Sequence, residues 1–149
     1  MAIILANRII NLPLDKVWAI ISDVDKDFQY WHGIRSINNI KKEGNTIERE
    51  TTISFKNKIC KEIITLESNK EYQIDIQIVE GPIIGKKTIT LEKIDKNNAK
   101  INVRWDIHLN GIARVFTIFI KKHILKGTEE ALGRISKMAT EQTPEKKIK

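Results

Sequence analysis

Three stretches of the chain change between apolar and polar at nearly every step, and this period of two most narrows the folds open to it. Ile47, Arg49, Thr51, Ile53 and Phe55 alternate with Glu48, Glu50, Thr52 and Ser54. Tyr72, Ile74, Ile76 and Ile78 alternate with Gln73, Asp75, Gln77 and Val79. Ile101, Val103, Trp105, Ile107 and Leu109 alternate with Asn102, Arg104, Asp106 and His108. Successive side chains of a strand point to opposite faces, so each run describes a strand with one wet face and one buried face. KEGN (42–45), KNK (56–58), SNK (68–70), EGP (80–82) and DKNN (95–98) are turn-like breaks between them. Connections this short favour antiparallel pairing. From residue 34 to about 109 the pattern predicts one antiparallel sheet, which the apolar start (3–11) extends to six or seven strands.

Helical spacing brackets the sheet. Pro13 opens a helix, where its missing N–H costs nothing, and Asp15 in the first turn suits the helix dipole. Leu14, Val17, Ile20, Ile21 and Val24 then recur at intervals of three and four, which gives one buried stripe. Residues 112–139 return to the same period, with Ile112, Phe116, Phe119, Ile120, His123, Gly127, Ala131 and Met138 on one broad face. At 1.5 Å per residue that helix is roughly 40 Å long.

This order of elements has a geometric consequence. Six or seven strands about 4.8 Å apart make a sheet roughly 30 Å wide, whereas one helix covers only about 10–12 Å of it. The sheet must hide its apolar face, so it is expected to curl around the long helix. With aromatics at only 6% of the chain, side chains are poorly placed to fill the remaining space. A lined cavity under the helix is the better expectation.

Size and charge limit the alternatives. At 149 residues the chain suits one domain, read as 1–142, followed by a basic and flexible tail at 143–149. No apolar run approaches the roughly 20 residues needed to span a bilayer, and the N-terminus lacks a signal-peptide pattern, so a cytoplasmic location is expected. The single cysteine, Cys60, permits no intrachain disulfide. The net charge of +7 is dispersed among acids along the chain, without an aromatic-basic RNA-binding motif, which argues against nucleic acid.

The run INLPLDKVWAIISDVD (10–25), with Pro13, the pair Val17–Trp18, Asp23, and Trp31 after a short second helix, resembles the opening of the START-like, or Bet v 1-like (SRPBCC), superfamily. Within it the chain is most similar to the polyketide cyclase/dehydrase and lipid-transport group, which includes coenzyme Q-binding proteins. GTEEAL (127–132) in the last helix fits the same pattern. The resemblance implies an α+β helix-grip fold, with two short helices after the first strand and a bent sheet clasping a long C-terminal helix around a hydrophobic pocket. It implies ligands such as lipids, hormones, quinones or polyketides, with cyclisation chemistry in a minority of members and no shared catalytic motif. KKEGN (41–45) has one glycine where the plant branch has a glycine-rich loop, which places the chain outside that branch.

Several residues invite a chemical reading. Asp23, Asp25 and Asp27 have the spacing of the first ligands of a calcium loop, but Phe28 and Ile34 stand where glycine and glutamate are required. These acids read as a helix end and turn with solvated carboxylates. GPIIGKKT (81–88) has the look of a phosphate loop, but Lys87 breaks the spacing and a strand pattern follows where a helix is required. Gly81–Pro82 is read as a turn, and Gly85 as a bend or bulge. His32, His108, His123 and Cys60 lack metal-ligand spacing, and neither metal nor cofactor is expected. His108 has wet-face parity, and His32 sits in the aromatic turn. His123, on the long helix's apolar face, is either a satisfied core residue or a head-group contact. Arg49 has inward parity, so it either anchors a ligand acid or carbonyl, pairs with a carboxylate, or snorkels out at the sheet rim.

The function expected is the binding, transport or sensing of a small hydrophobic or amphipathic molecule by a monomer or weak homodimer. The pocket is assigned to Trp31, Arg49, Phe55, Tyr72, Ile76, Ile89, Trp105, Phe116, Phe119 and His123. Arg49, Tyr72 and His123 would set the ligand's orientation. Two alternatives stand beside it: a cyclase- or dehydratase-type enzyme using the same cavity, and a basic module for nucleic acid or a protein partner. Ile118 and Leu125, on the far side of the last helix, are the residues that point to a protein or dimer contact.

Overall fold

The computed structural model describes residues 2–67 and 72–141. Seven strands form one sheet in the order β1-β7-β6-β5-β4-β3-β2, with every neighbouring pair antiparallel. They are β1 (Ala2–Ile10), β2 (Ile34–Glu43), β3 (Thr46–Ile53), β4 (Ile59–Glu67), β5 (Tyr72–Glu80), β6 (Ile83–Asp95) and β7 (Asn98–Leu109). The strands from β2 to β7 run in sequence, each joined to the next by a short connection, and β1 closes the far edge against β7. The predicted turns at 42–45, 56–58, 80–82 and 95–98 all fall between strands or at strand ends, whereas SNK (68–70) and the tail at 143–149 lie outside the described residues.

Between the two edge strands the chain runs through α1 (Leu14–Ile21), a 3₁₀ turn (Val24–Lys26) and α2 (Asp27–Tyr30). Val17, Ile20 and Ile21 of α1 and Val24 beyond it are buried, as the three-and-four spacing predicts. The long helix α3 spans Thr117–Glu141 and packs against β1, α1 and α2. Arg134 Nη1 donates to the Tyr30 carbonyl at 2.8 Å and ties α3 to α2. The core lies between α3 and the sheet, where Ile64, Ile74, Ile101 and Val103 meet Leu132 and Ile135.

Two features differ from expectation. Residues Gly111–Phe116 form a 3₁₀ segment, and the α-helix starts only at Thr117. A 3₁₀ turn advances about 120° per residue rather than 100°, so Ile112 and Phe116 lose the phase that would bring them to the core; they are 55% and 43% exposed. Within α3 the buried stripe is Ile120, Thr128, Ala131, Leu132, Ile135 and Ala139. Phe119, assigned to the inner face, is 71% exposed.

Bulges help the sheet to curl. Pairing slips between Ile34 and Ser36, between Asn39 and Lys41, and between Lys61 and Glu62, and each slip adds local twist. At Gly85, read as a bend or bulge, the pairing with β5 and β7 runs without a slip, and the glycine serves a close approach instead. Its φ is +141°, and a Cβ there would overlap the Asp106 carbonyl of β7.

Candidate functional site

A cavity of about 340 Å³ remains between the sheet and the first half of α3, which is the space one helix leaves uncovered. Every strand from β3 to β7 contributes to it: Ile53 from β3, Glu62 from β4, Ile76 and Ile78 from β5, Lys87 from β6 and Trp105 from β7. Its roof is Ile120, Ile124, Gly127 and Thr128 of α3, and its end wall is Trp31 beyond α2. The mouth carries more exposed groups, namely His32, Phe55, Lys56, Phe119 and His123.

Seven of the residues assigned to the pocket from sequence line this cavity: Trp31, Arg49, Phe55, Ile76, Trp105, Phe119 and His123. Three do not. Tyr72 packs edge-on against Trp18, with ring centroids 5.3 Å apart, at the opposite end of β5. Ile89 is buried beside Trp31, Leu132 and Ile135, below the cavity. Phe116 falls on the 3₁₀ segment, outside it. Parity on a strand decides which face a residue takes, but not which end of that face the helix leaves open.

Arg49 is neither a rim residue nor free to reach outward, since it is 1% exposed. Its Nε donates to Glu62 Oε1, its Nη2 to Asp27 Oδ2 and its Nη1 to the Val24 carbonyl, each at 2.9 Å. Three of its five N–H groups are thus held by the protein itself. Asp23 and Asp25 are exposed as expected, and Asp25 pairs with Asn39 and Lys42. Asp27 departs from the solvated reading because the α2 turn carries it inward to Arg49. Burial raises its carboxyl above the usual range, against the opposing pull of Arg49 and Lys87.

Lys87 is the residue that the sequence reading missed as a pocket group. It shares inward parity with Ile89 and Leu91 on β6, and it is 4% exposed. Its Nζ stands 3.1 Å above the centre of the Trp31 ring and 4.7 Å from that of Trp105. It makes no hydrogen bond or ion pair with any described residue. Burial lowers its ammonium to about 7, although Asp27 and Glu62 act in the opposite direction. The signal in the sequence was a lysine on the apolar side of an alternating strand, where the usual occupants are Val and Ile.

The surrounding groups are fixed. Trp105 Nε1 donates to Thr128 Oγ1 at 3.0 Å, and Thr128 Oγ1 donates to the Ile124 carbonyl at 2.7 Å. Trp31 and Trp105 stand edge to face at 6.3 Å. Burial pushes the Cys60 thiol, also on the wall, up to about 11, which leaves it unreactive at neutral pH. His123 lies at the mouth, exposed and stacked on Phe119 at 6.4 Å, rather than in the core. His32 is exposed near Gln29, and His108 is exposed on the outer face. Among the described residues no group of three or more His, Cys, Asp or Glu is arranged to hold a metal ion. No helix among them is long and apolar enough to cross a membrane. Ile118 and Leu125 lie outside the cavity, on an open groove with Ile3 and Leu5.

Known structures share this architecture. A protein from Thermus thermophilus superposes with a TM-score of 0.81 at 13% identity, over 95% of this chain and 99% of that one. The Zhui aromatase/cyclase from a Streptomyces species gives 0.74 at 9% identity, with 93% of each chain covered. A START superfamily protein from Mycobacterium smegmatis gives 0.65 at 12% identity, over 91% of this chain and 98% of that one. At such identities the likeness is one of fold. No curated protein matches the sequence significantly. The seven-stranded sheet gripping a long helix is the helix-grip fold, and the model of one family with that fold matches residues 1–139. The chain belongs to the polyketide cyclase/dehydrase and lipid-transport family.

Proposed function

We propose that this protein binds a small amphipathic molecule, of the lipid, quinone or polyketide kind, in the cavity between the sheet and α3. One observation carries the reading: an apolar cavity of about 340 Å³ holds a buried amine, Lys87, which lies against two indole rings and has no hydrogen bond or ion pair with any described residue. That volume lies within the roughly 300–1,000 Å³ of small-molecule sites, in which an apolar lining and a few polar groups divide affinity from orientation. Ile53, Ile76, Ile78 and Ile120 receive the apolar body of the ligand. Lys87 and Glu62 receive its oxygen-bearing head. Arg49 holds Glu62 in place. Burial of apolar ligand surface, at about 25 cal/mol per Å² before ordering costs, supplies most of the affinity.

Gly127 supplies the test. It borders the cavity, and a Cβ built there meets nothing within 4 Å. Gly127→Leu is therefore expected to take up binding space, on a helix that tolerates leucine better than glycine. N-phenyl-1-naphthylamine fluorescence is expected to rise on binding to the wild type, to persist in high salt, and to be lost in Gly127→Leu. Native mass spectrometry is expected to find a copurifying molecule that solvent extraction removes. Equal probe binding by both proteins, or none by either, refutes the reading.

A second reading, an acid–base reaction on the bound molecule, is favoured by one arrangement: His123, Glu62 and Lys87 border the same cavity. General acid–base catalysis requires such groups to converge on one substrate atom.

A further inference from the structure

Resting on the cavity-binding reading above, we propose that the head group of the ligand is an aldehyde or ketone carbonyl and that Lys87 condenses with it to form an imine. The position of Nζ carries this. It lies on the cavity wall over the faces of Trp31 and Trp105, with no carboxylate, carbonyl or hydroxyl of a described residue as acceptor. A lysine that serves only to balance a buried charge sits in an ion pair, as Arg49 does with Asp27 and Glu62. Lys87 instead holds its amine on the cavity wall against two indole faces. Desolvation of this kind is the usual way in which a lysine is made nucleophilic, and burial lowers its proton affinity accordingly, to about 7.

The neighbouring charges suit both the reaction and its product. Asp27 and Glu62 share the single guanidinium of Arg49, and both favour a positive charge on the Lys87 nitrogen. Their influence suits an ammonium and a protonated imine alike. Glu62 also lines the cavity and has only its Oε1 engaged, by Arg49. In the reaction the Lys87 nitrogen lone pair attacks the carbonyl carbon, and the carbonyl oxygen takes up a proton. The resulting carbinolamine loses that oxygen as water while the nitrogen gives up its protons and the C=N bond forms. Glu62 is placed to relay these protons, and no oxidant or reductant takes part.

The probe is 2-naphthaldehyde, an apolar carbonyl, incubated at pH 7 with cyanoborohydride, which reduces an imine to a stable secondary amine. Peptide mapping reads the position of the naphthylmethyl group. At that pH an exposed lysine is on the order of a thousandfold poorer in free amine than Lys87, so Lys87 is expected to be labelled roughly tenfold or more faster than the other lysines. Its labelling is expected to be lost in Lys87→Met and suppressed in the wild type by excess 2-naphthalenemethanol, which occupies the cavity but cannot condense. The competition in the wild type stands even where the variant folds poorly. Quenching of tryptophan fluorescence by the alcohol separates the two ideas. Binding of the alcohol with no selective labelling of Lys87 overturns the imine and leaves the cavity reading intact. Absence of both overturns the two together.

Discussion

Arg49 and Glu62 face each other directly across β3 and β4, and the Arg49 Nε donates to Glu62 Oε1 at 2.9 Å on the buried face of the sheet. Asp27 reaches the same guanidinium from α2, so one ionic cluster joins the sheet to the helical connection. Removing the cation alone leaves two carboxylates buried without it. Arg49→Met is expected to lower unfolding stability by about 3–5 kcal/mol, measured in urea. Combining it with Asp27→Asn and Glu62→Gln is expected to recover much of that loss. A single variant that loses less than about 1 kcal/mol contradicts this account of the cluster.

Lys87 makes stability depend on pH in an unusual direction. In the unfolded chain it keeps its proton to a pH of about 10.4, whereas in the folded protein it does so only to about 7. Between these values the unfolded state binds more protons, so this group's contribution to stability rises with pH there and its full penalty is present below 7. Lys87→Met removes the penalty. The variant is expected to exceed the wild type by a few kcal/mol at pH 6, since each tenfold change in proton affinity is worth about 1.4 kcal/mol. The gain should shrink toward pH 10. Parallel stability curves for the two proteins between pH 6 and 10 contradict the assignment.

Thr51 offers the opposite kind of change. It is fully buried in β3, and its hydroxyl has no hydrogen-bond partner among the described residues. Valine keeps the shape and removes the stranded polar atom. Thr51→Val is expected to stabilise the protein by about 1 kcal/mol, read as a shift of the urea midpoint at constant slope. A loss of stability points to an acceptor for that hydroxyl.

Gly85 lies where β6 passes closest to β7. An added Cβ would overlap the Asp106 carbonyl and come within 2.8 Å of Ile107 Cα, at a φ of +141°. Both the backbone conformation and the space exclude alanine. Gly85→Ala is expected to cost about 3 kcal/mol or more, with loss of the soluble folded form at elevated temperature. Wild-type melting behaviour in that variant is the contrary result.

Much of the site was within reach of the alternation, and one part of it was not. The pattern that puts Ile47, Arg49 and Thr51 on one face also puts Cys60, Glu62 and Ile64 together in ICKEIITLE, and Lys87 with Ile89 and Leu91. Three inward charges were therefore legible from strand parity alone. Asp27 was not, because its spacing with Asp23 and Asp25 matches a calcium loop that Phe28 and Ile34 rule out and says nothing of burial, and only the turn of α2 brings it inward. Tyr72 shows the converse: its inward parity is real, but it ends against Trp18 rather than in the cavity.

Local periodicity determined an antiparallel sheet of six or seven strands, the buried faces of its alternating runs and the helices at either end, since side-chain direction follows from backbone repeat alone. The width of such a sheet against a single helix also required either a cavity or an unusually bulky core. Tertiary structure decided where the uncovered space lies and what faces it. The 3₁₀ turn at Gly111–Phe116 resets the phase of α3, register sets Arg49 against Glu62, and curvature carries Lys87 over Trp31. Each depends on groups distant in sequence meeting in an apolar interior, where an amine's proton affinity and reactivity are set by its neighbours rather than by its residue type.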